Sequence, residues 1–370
     1  MHISKISLKN FRNFEELNLD FEVAINIFLG KNAQGKTNIL EAINFSSLGK
    51  SRAAKDFELV RHGENSAQIR INFFKADVSH ELAVEISADR RRRKVLLDGN
   101  EIKFREIVGK INSVMFSPED LFMFKNSPSS RRKFLDSEIS QASPIYFSTL
   151  VNYNRLVEQR NNLLKKIRDG FARAKDLDLW TEQLANTAAK LTLKRLDAVA
   201  KINLLANSAQ KKISSQKENL AVKYDLHGIK NFELDNATEN NFATWYRENL
   251  NAGKFLDIKR GATSLGPHLD DLQFFIDDKE LKLYGSQGQL RTAALALKLS
   301  ELQFLRQETG EYPILLLDDV MSELDAERRE QLLKFLAEEK IQTLITATEK
   351  AYFPTENFGK IFQVHSGKII

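Results

Sequence analysis

The order of apolar and polar positions predicts paired strands, then a strand, a glycine loop and a helix at the start of the chain. Residues 3–8 and 17–21 are extended, partly alternating stretches, which is typical of two paired strands. A mainly apolar run at residues 24–29 stops at Gly30. In residues 37–48, which follow, the apolar positions recur at roughly helical spacing.

The middle of the chain changes from a strand pattern to a helical one. Residues 68–97 alternate, and Asp98 followed by Gly99 is typical of a hairpin turn, so we predict a β-rich meander. From residue 129 to about residue 216 there are few helix breakers, which favours a helical insertion. Its apolar positions lie three, four or seven residues apart, at Leu177, Trp180, Leu184 and Leu191. Strand patterning returns at residues 271–276 and 314–317.

Composition narrows the class of protein. The chain has 370 residues, which allows two or three domains, and its 42% apolar and 28% charged residues are typical of globular proteins. It contains no cysteine, which excludes disulfides, thiolate zinc sites and cysteine nucleophiles. The formal net charge of +5 permits an anionic partner without requiring one. No apolar run approaches a membrane span, and the first residues are too polar for a secretory leader, so we expect a cytoplasmic protein.

The segment from Gly30 to Thr37 matches the phosphate-binding loop pattern G-x-x-x-x-G-K-[ST]. It lies between a predicted strand and a predicted helix, where backbone N–H groups and the helix N-terminus favour a bound phosphate. We expect Lys36 to neutralise phosphate oxygens of ATP and Thr37 to ligate Mg²⁺. The predicted nucleotide-binding residues of this segment are Gly30, Lys31, Asn32, Ala33, Gln34, Gly35, Lys36, Thr37 and Asn38. The alternative is a tight turn without a ligand.

An acidic segment supplies the second element that such a loop needs. Asp318 and Asp319 follow four apolar residues, as at the end of a buried parallel strand. We expect Asp318 to hold magnesium through water and Asp319 to orient or deprotonate the attacking water. The predicted catalytic residues are therefore Lys36, Asp318 and Asp319, and the predicted metal ligands are Thr37 and Asp318. Alone, the same pattern is also common where a strand ends at the surface.

A further phosphate-binding element is predicted directly before a helix rich in Ala and Leu. Ser286 and Gly288 precede this helix, and residues at a helix N-terminus expose unpaired N–H groups. One nucleotide does not need two such elements from one chain. The economical solution is a head-to-tail dimer, in which Ser286 and Gly288 of one subunit contact the γ-phosphate held by the other subunit. The alternative is an ordinary helix cap.

Together these motifs resemble the ABC-type ATPases, including the SMC-like repair proteins. The phosphate-binding loop, the Ser-x-Gly-Gln signature, the strand ending in acids and Ser322-Glu-Leu-Asp325 follow in that family's order. More narrowly, the chain resembles the bacterial RecF family over nearly its whole length. The other motifs that carry this resemblance are Asn10-Phe-Arg-Asn13, Phe116-Ser-Pro-Glu-Asp-Leu121, Ser127-Pro-Ser-Ser-Arg131-Arg-Lys-Phe-Leu-Asp136, Gly266-Pro-His-Leu-Asp-Asp271 and Leu317-Asp-Asp-Val-Met-Ser-Glu-Leu-Asp325.

The resemblance implies an α/β fold: an ABC-type ATPase head, with a P-loop mixed sheet and a β-rich subdomain, plus an inserted α-helical lobe. It assigns residues 1–125 and 261–370 to the head and residues 126–260 to the lobe. It adds Gln289 and Thr348 to the nucleotide-binding residues. It also implies a weak, DNA-stimulated ATPase that acts with RecR and RecO, with RecA downstream.

Some positions depart from the wider pattern or are specific to RecF. Leu269 stands where the RecF family usually has arginine. Asp319 replaces the Glu of most ABC ATPases and agrees with RecF, and its shorter side chain is consistent with slow hydrolysis. Thr348 stands where transporters have a switch histidine. The segment that corresponds to the Q-loop has no clear glutamine, and Ser117 and Glu119 are loose candidates there.

Basic segments predict contacts with DNA phosphates, which would give sequence-independent, salt-sensitive binding. Arg131, Arg132 and Lys133 open the helical insertion, and Arg52 follows the P-loop helix. Further cations are Arg90, Arg91, Arg92, Arg93 and Lys94 before a hairpin, and Lys165, Lys166, Arg168, Arg173 and Lys175 in the insertion. The alternative is that these are ordinary solvated side chains, or an edge strand protected by charge.

We therefore predict a nucleoid-associated, ATP-controlled DNA-binding protein of recombinational repair and replication-fork maintenance. An ATP-induced homodimer would clamp gapped or duplex DNA, and slow hydrolysis of ATP to ADP and phosphate would release it. A transport ATPase subunit is disfavoured because Thr37 and Tyr284 are 247 residues apart, much further than in transporters. An SMC-type tether needs a longer coiled coil, and a small-molecule kinase needs no signature.

Overall fold

The computed structural model describes residues 1–51, 55–89, 93–228, 237–353 and 358–370. By internal packing these residues form two units. Unit 1 contains residues 1–122, 208–217 and 287–370, and unit 2 contains residues 123–207 and 218–286. The sequence assigned residues 1–125 and 261–370 to an ATPase head and residues 126–260 to a helical lobe. This assignment stays a prediction.

Unit 1 contains an antiparallel sheet of six strands. The strands are β1 (His2–Phe11), β2 (Phe14–Asp20), β4 (Ser66–Lys75), β5 (Val78–Ser87), β6 (Arg93–Leu97) and β7 (Asn100–Ile102), in the order β2-β1-β4-β5-β6-β7. Ile6 pairs with Ile71, and both are buried, as expected when one sheet face packs on a core. The predicted hairpin joins β6 to β7 through Asp98 and Gly99, whose φ angles of 50° and 78° suit a tight hairpin turn.

A second, mostly parallel sheet forms the centre of unit 1. Its strands are β3 (Ile25–Leu29), β8 (Ser113–Phe116), β12 (Ile314–Asp318), β13 (Thr343–Ala347), β14 (Lys360–His365) and β15 (Lys368–Ile369), in the order β15-β14-β3-β13-β12-β8. Every residue of β3, β12 and β13 is buried, which is typical of parallel strands covered on both faces. β3 pairs on one side with β13 and on the other with β14, although both come near the end of the sequence.

The helices of unit 1 are α1 (Lys36–Leu48), the last turns of α4 (Asp178–Ile213), α8 (Gln287–Thr309) and α9 (Ala326–Glu339). α1 begins after Gly35, whose φ is 107°, and a Cβ added there would lie 2.4 Å from the side chain of Asn13. Only glycine suits both this conformation and this close approach. Among the helices that the structure describes, none combines the length and apolar character that a bilayer span requires.

Unit 2 is mainly helical. Its helices are α2 (Pro128–Ala142), α3 (Pro144–Arg168), most of α4, α5 (Glu239–Ala252), α6 (Lys254–Arg260) and α7 (Leu281–Tyr284). It also has a three-stranded antiparallel sheet, in which β10 (Asp271–Ile276) lies between β9 (Leu220–Asp225) and β11 (Lys279–Glu280). The sequence predicted β10 but not β9, which pairs with β10 along its whole length.

Candidate functional site

The phosphate-binding loop pattern connects β3 to α1. Lys36, the first residue of α1, is buried, and its Nζ donates to the carbonyl oxygens of Gly30 at 2.7 Å and Lys31 at 2.9 Å. Burial lowers the pKa of Lys36, while the carboxylates of Asp319 and Asp318 oppose that shift. The loop therefore holds a partly desolvated positive charge beside a helix N-terminus, where an anion is favoured.

Thr37 and Asp318 meet, although they are 281 residues apart in the sequence. The Oγ1 of Thr37 donates to Oδ1 of Asp318 at 2.8 Å, and the Oγ1 of Thr346 donates to the same oxygen at 2.8 Å. β13 lies between β3 and β12, so the carboxyl ends of three parallel strands meet at one edge of the sheet. Two hydroxyl donors thus fix the orientation of the Asp318 carboxylate.

Asp319 is placed differently from its neighbour. It has a left-handed φ of 53°, and its N–H donates to Oγ1 of Thr346 at 2.8 Å. Its Oδ1 is buried and has no hydrogen-bond partner among the described residues. Burial raises the pKa of Asp319, the ammonium of Lys36 lowers it, and Asp318 and Glu323 raise it. A carboxylate with a raised pKa and an unused oxygen can accept a proton.

Three other predicted residues of the loop lie at its surface. Lys31, Asn32 and Ala33 are exposed, and Ala33 has a left-handed φ of 63°. Gly30 is tightly enclosed, since a Cβ added there would lie 2.4 Å from the carbonyl oxygen of Val364. Thr348 is half-buried and directly follows β13.

Residues outside the loop brace it, and the sequence analysis gave them no role. The Nδ2 of Asn13 donates to the carbonyl oxygen of Gln34 at 3.2 Å, and Nδ2 of Asn38 donates to Oδ1 of Asn13 at 2.7 Å. The Oε1 of Gln34 accepts from the N–H of Ser366 at 2.6 Å, and its carbonyl accepts from the N–H of Gly367 at 3.0 Å. The β1–β2 turn and the β14–β15 hairpin thus hold the loop from two sides.

A second contact ties the β1–β2 turn to α1. Arg12, whose φ is 53°, donates from Nε and Nη2 to the two carboxylate oxygens of Glu41, each at 2.9 Å. The Oγ of Ser51 also donates to Glu41, at 2.6 Å. The predicted DNA contact Arg52, next in the sequence, lies outside the described residues.

The signature segment leads into α8. Ser286 and Gly288 are exposed and Gln289 is half-buried. The carbonyl oxygen of Gly288 accepts from Oγ1 of Thr292 at 2.9 Å, and Nε of Arg328 donates to the same hydroxyl at 3.0 Å.

The segment after β12 is tied to the same helix. Asp325 caps α9 by accepting from the N–H of Arg328 at 2.9 Å. Nη2 of Arg291, in the first turns of α8, donates to Glu323 at 3.2 Å. The start of α8 and residues 323–328 therefore form one connected structure.

The structure contradicts the DNA contact predicted for Arg131. This side chain is 2% exposed, and its guanidinium donates to the carboxylate of Asp271 at 2.8 and 2.6 Å. A buried, paired arginine cannot reach a phosphate. Arg132 is half-buried and donates to the carbonyl oxygen of Asp270 at 2.6 Å, whereas Lys133 is exposed. Three other predicted cations, Arg90, Arg91 and Arg92, lie outside the described residues.

Asp270 also belongs to a buried polar cluster in unit 2. Arg195 is 2% exposed and donates to both oxygens of Asp136 at 3.0 Å, to the carbonyl oxygen of Pro267 at 2.5 Å and to the hydroxyl of Tyr224 at 3.0 Å. Tyr224 in turn donates to Oδ2 of Asp270 at 2.7 Å. These bonds connect α2, α4, β9 and the turn before β10.

The Gly266–Asp271 motif therefore has a structural part in this unit. Nδ1 of His268 lies 2.6 Å from the hydroxyl of Tyr153, and burial lowers the pKa of His268 to about 4. Leu269 is half-buried between these polar neighbours and has no polar side-chain atom of its own.

Comparison with known proteins defines the class first. The profile described as RecF/RecN/SMC N terminal domain matches residues 2–369. A solved SMC head bound to the C-winged helix domain of ScpA superposes with a TM-score of 0.58 at 15% identity, covering 100% of this chain and 97% of that one, and it shows the fold alone. The chain thus has an SMC-like head fold with a helical insertion, and the predicted fold class is confirmed.

Closer relatives identify the family within this class. The DNA replication and repair protein RecF of Heliobacterium modesticaldum is 42% identical, covering 100% of this chain and 99% of that protein. The RecF of Halalkalibacterium halodurans is 41% identical, with 94% and 93% covered. A solved structure of the recombination mediator protein RecF with ATP, in the RecFOR pathway, is 37% identical with a TM-score of 0.90, covering 100% and 98%. The chain belongs to the RecF family.

Proposed function

We propose that this chain is an ATP-dependent DNA-binding protein of recombinational repair and replication-fork maintenance, and that it hydrolyses ATP slowly. The hydrogen bond between Thr37 and Asp318 carries the proposal, because it joins the phosphate-binding loop to the acidic strand end in one site. The descriptions of the RecF relatives, as DNA replication and repair proteins and as an ATP complex, support it.

The side chains at this site suit ATP with magnesium. Lys36 and the N–H groups at the start of α1 bind phosphate oxygens. Thr37 and Asp318 offer the hydroxyl and carboxylate oxygens that magnesium prefers when substrate phosphates complete its coordination. Magnesium bound there would neutralise negative charge on the phosphates of ATP. The exposed loop residues surround the nucleotide in our proposal, together with Thr348, which follows the strand that carries Thr346.

Asp319 is the proposed base for hydrolysis. Its buried Oδ1 has no partner among the described residues, and burial raises the pKa of this carboxyl. It accepts the proton of the attacking water as the bond from water oxygen to the γ-phosphorus forms and the bond to ADP breaks. The left-handed backbone and the N–H hydrogen bond to Thr346 position the carboxylate at the strand end.

The exposed signature segment is the proposed subunit contact. Ser286 and Gly288 contact the γ-phosphate of a second subunit, so ATP promotes a homodimer. Thr292 and Arg291 tie this segment to residues 323–328, which supports a rigid contact surface. In this scheme residues 1–125 and 261–370 act as the ATPase head and residues 126–260 as the lobe.

DNA is the proposed partner of the dimer, bound without sequence preference at gaps or duplex. Lys133 and Arg132 remain the proposed phosphate contacts of the described residues, and Arg131 is removed from that set. Like the relatives of the RecFOR pathway, the chain would act with RecR and RecO, with RecA downstream.

The test is fluorescence anisotropy of a labelled gapped duplex, with and without ATP and magnesium, at one salt concentration. We expect tighter binding with ATP, and loss of this difference in Lys36→Ala. Equal binding with and without ATP would reject nucleotide control. Lys133→Ala, which leaves buried Arg131 in place, should make the DNA affinity depend less on salt concentration. An unchanged salt slope would place the DNA contact elsewhere.

A further inference from the structure

Unit 2 exposes apolar side chains around the short helix α6. Phe255 and Leu256 of this helix are 80% and 42% exposed, while Asp257 on its other side is buried against Arg160, at 2.7 Å from its Nη1. Phe171 and Leu179 are 83% and 65% exposed. Single exposed apolar residues are ordinary, whereas a group of them marks a contact surface.

Two contacts place the segments that carry these four side chains near one another. Nζ of Lys254 binds Oδ1 of Asp178 at 2.7 Å, so the start of α6, which includes Phe255, lies near the start of α4, which includes Leu179. At the other end of α6, a Cβ on Gly261 would lie 3.0 Å from Cγ of Lys165, in the last turns of α3.

Phe171 belongs to the same end of α3. Its N–H donates to the carbonyl oxygen of Lys166 at 2.8 Å, directly after the helix ends. We call this region the α3–α6 surface, and it consists of Lys165, Lys166, Phe171, Leu179, Phe255, Leu256, Lys259 and Arg260.

The charge of this surface is positive. Lys165, Lys166, Lys259 and Arg260 are exposed, and no carboxylate of the described residues lies within ion-pair distance of these four cations. The neighbouring Arg168 and Lys254 are already paired, with Asp169 and Asp178. An apolar centre with unpaired cations around it is therefore open to a partner that carries both apolar groups and negative charge.

We propose that the α3–α6 surface docks an acidic protein segment that carries apolar side chains. Single-stranded DNA would use only part of the apolar centre, because Phe171 and Phe255 have rings on which bases could stack and Leu179 and Leu256 have none. A second copy of the chain also fits less well, because a symmetric contact would place this cationic surface against its own copy. The apolar centre and cationic rim match the composition of a protein interface.

The test uses three labelled probes with the full-length protein. The first is a helical peptide with Glu on one face and Leu and Phe on the other, the second has every Glu replaced by Lys, and the third is an oligo-dT. We expect only the acidic peptide to bind at this surface, with an affinity that falls as salt rises. Two variants change the surface: Phe255→Ser with Leu256→Ser, and Lys259→Gln with Arg260→Gln.

Each variant should weaken binding of the acidic peptide about tenfold. Ile145→Ser is the matched control, since it removes an apolar side chain that is 79% exposed elsewhere on α3, and it should bind like the unchanged protein. All replaced side chains are exposed, and circular dichroism with thermal unfolding verifies the fold of each variant. Because no nucleotide is involved, failure here leaves the proposed function untouched.

Three results would overturn the proposal. The first is equal binding of the acidic and the Lys-substituted peptide, or unchanged peptide binding in both surface variants. The second is loss of oligo-dT binding in these variants without a peptide effect, which would assign the surface to nucleic acid. The third is a change in the sedimentation of the protein alone, without nucleotide, when either surface variant is introduced. This result would assign the α3–α6 surface to self-association.

Discussion

Asp270 in unit 2 and Asp319 in unit 1 are both carboxyls whose pKa is raised by burial, but their hydrogen bonding differs. Both oxygens of Asp270 have partners, since Oδ2 accepts from Tyr224 at 2.7 Å and Oδ1 from the N–H of His227 at 2.9 Å. Asp319 has a buried oxygen without any partner among the described residues.

The difference indicates that the buried carboxyl of Asp270 stabilises the fold, whereas that of Asp319 is available for chemistry. A satisfied polar cluster fixes the packing of the elements around it, and removing one member leaves the others uncompensated. An unsatisfied oxygen destabilises the fold slightly and leaves capacity for a ligand or a proton. Substitutions in the two places should therefore change different measurements.

The largest effect is expected for Arg195→Ala. It removes the guanidinium that neutralises Asp136 and donates to Tyr224, and it leaves the Asp136 carboxylate, which is 17% exposed, without this counter-ion. We expect a loss of about 3–5 kcal/mol in the free energy of unfolding, measured by urea denaturation. A loss below about 1 kcal/mol would show that the cluster is not what holds unit 2 together.

Next is a matched pair, Asp319→Asn and Asp270→Asn. Asp319→Asn should lower ATP turnover about hundredfold while nucleotide affinity and stability stay close to those of the unchanged protein, because only the base is lost. Asp270→Asn should lower the unfolding free energy and leave turnover per folded molecule unchanged. Similar effects of both variants on turnover would remove the distinction between the two carboxyls.

The pH dependence of turnover sharpens the same comparison. The base must be deprotonated, so turnover should fall as pH decreases through the pKa of Asp319. Because burial raises this pKa, the acid limb should lie above the ordinary range of an aspartate. A pH profile that stays flat into that ordinary range would argue against Asp319 as the base.

The smallest effect is expected for Asn13→Ala. It removes the donor to the Gln34 carbonyl and the acceptor for Asn38, and so loosens the phosphate-binding loop. We expect about 1 kcal/mol weaker nucleotide binding by titration calorimetry, the usual worth of such hydrogen bonds. Asn18→Ala is the control, because this exposed side chain donates to Glu16 and to no other of the described residues, and this variant should bind nucleotide normally. Equal nucleotide affinities of the two variants would show that the hydrogen bonds of Asn13 do not support nucleotide binding.

Local patterns predicted much of the fold and the centre of the site. The Asp98-Gly99 hairpin and the strand, loop and helix around Gly30 depend on neighbours in the sequence, so they are readable there. The acidic strand end was recognisable because it ends an apolar run, and a familiar motif order linked it to the loop.

Contacts between distant residues were not predictable in the same way. Arg131 looked like a surface cation, but its side chain is buried and pairs with the carboxylate of Asp271, 140 residues away. The hydrogen bond that holds the Gln34 side chain comes from Ser366, and no sequence pattern near the loop predicts it. In both cases the side chain's surroundings are set by tertiary packing, which a residue's neighbours in sequence do not encode.

The position of β3 has a consequence for biosynthesis. This strand emerges from the ribosome well before both of its neighbours in the sheet, β13 and β14, which lie far later in the sequence. Until they follow, its backbone N–H and C=O groups have no native partners, and its apolar side chains are open to misassociation. The helices encoded between these strands have time to form first, and the phosphate-binding loop, which depends on β3, acquires its final shape only after β13 and β14 have been translated.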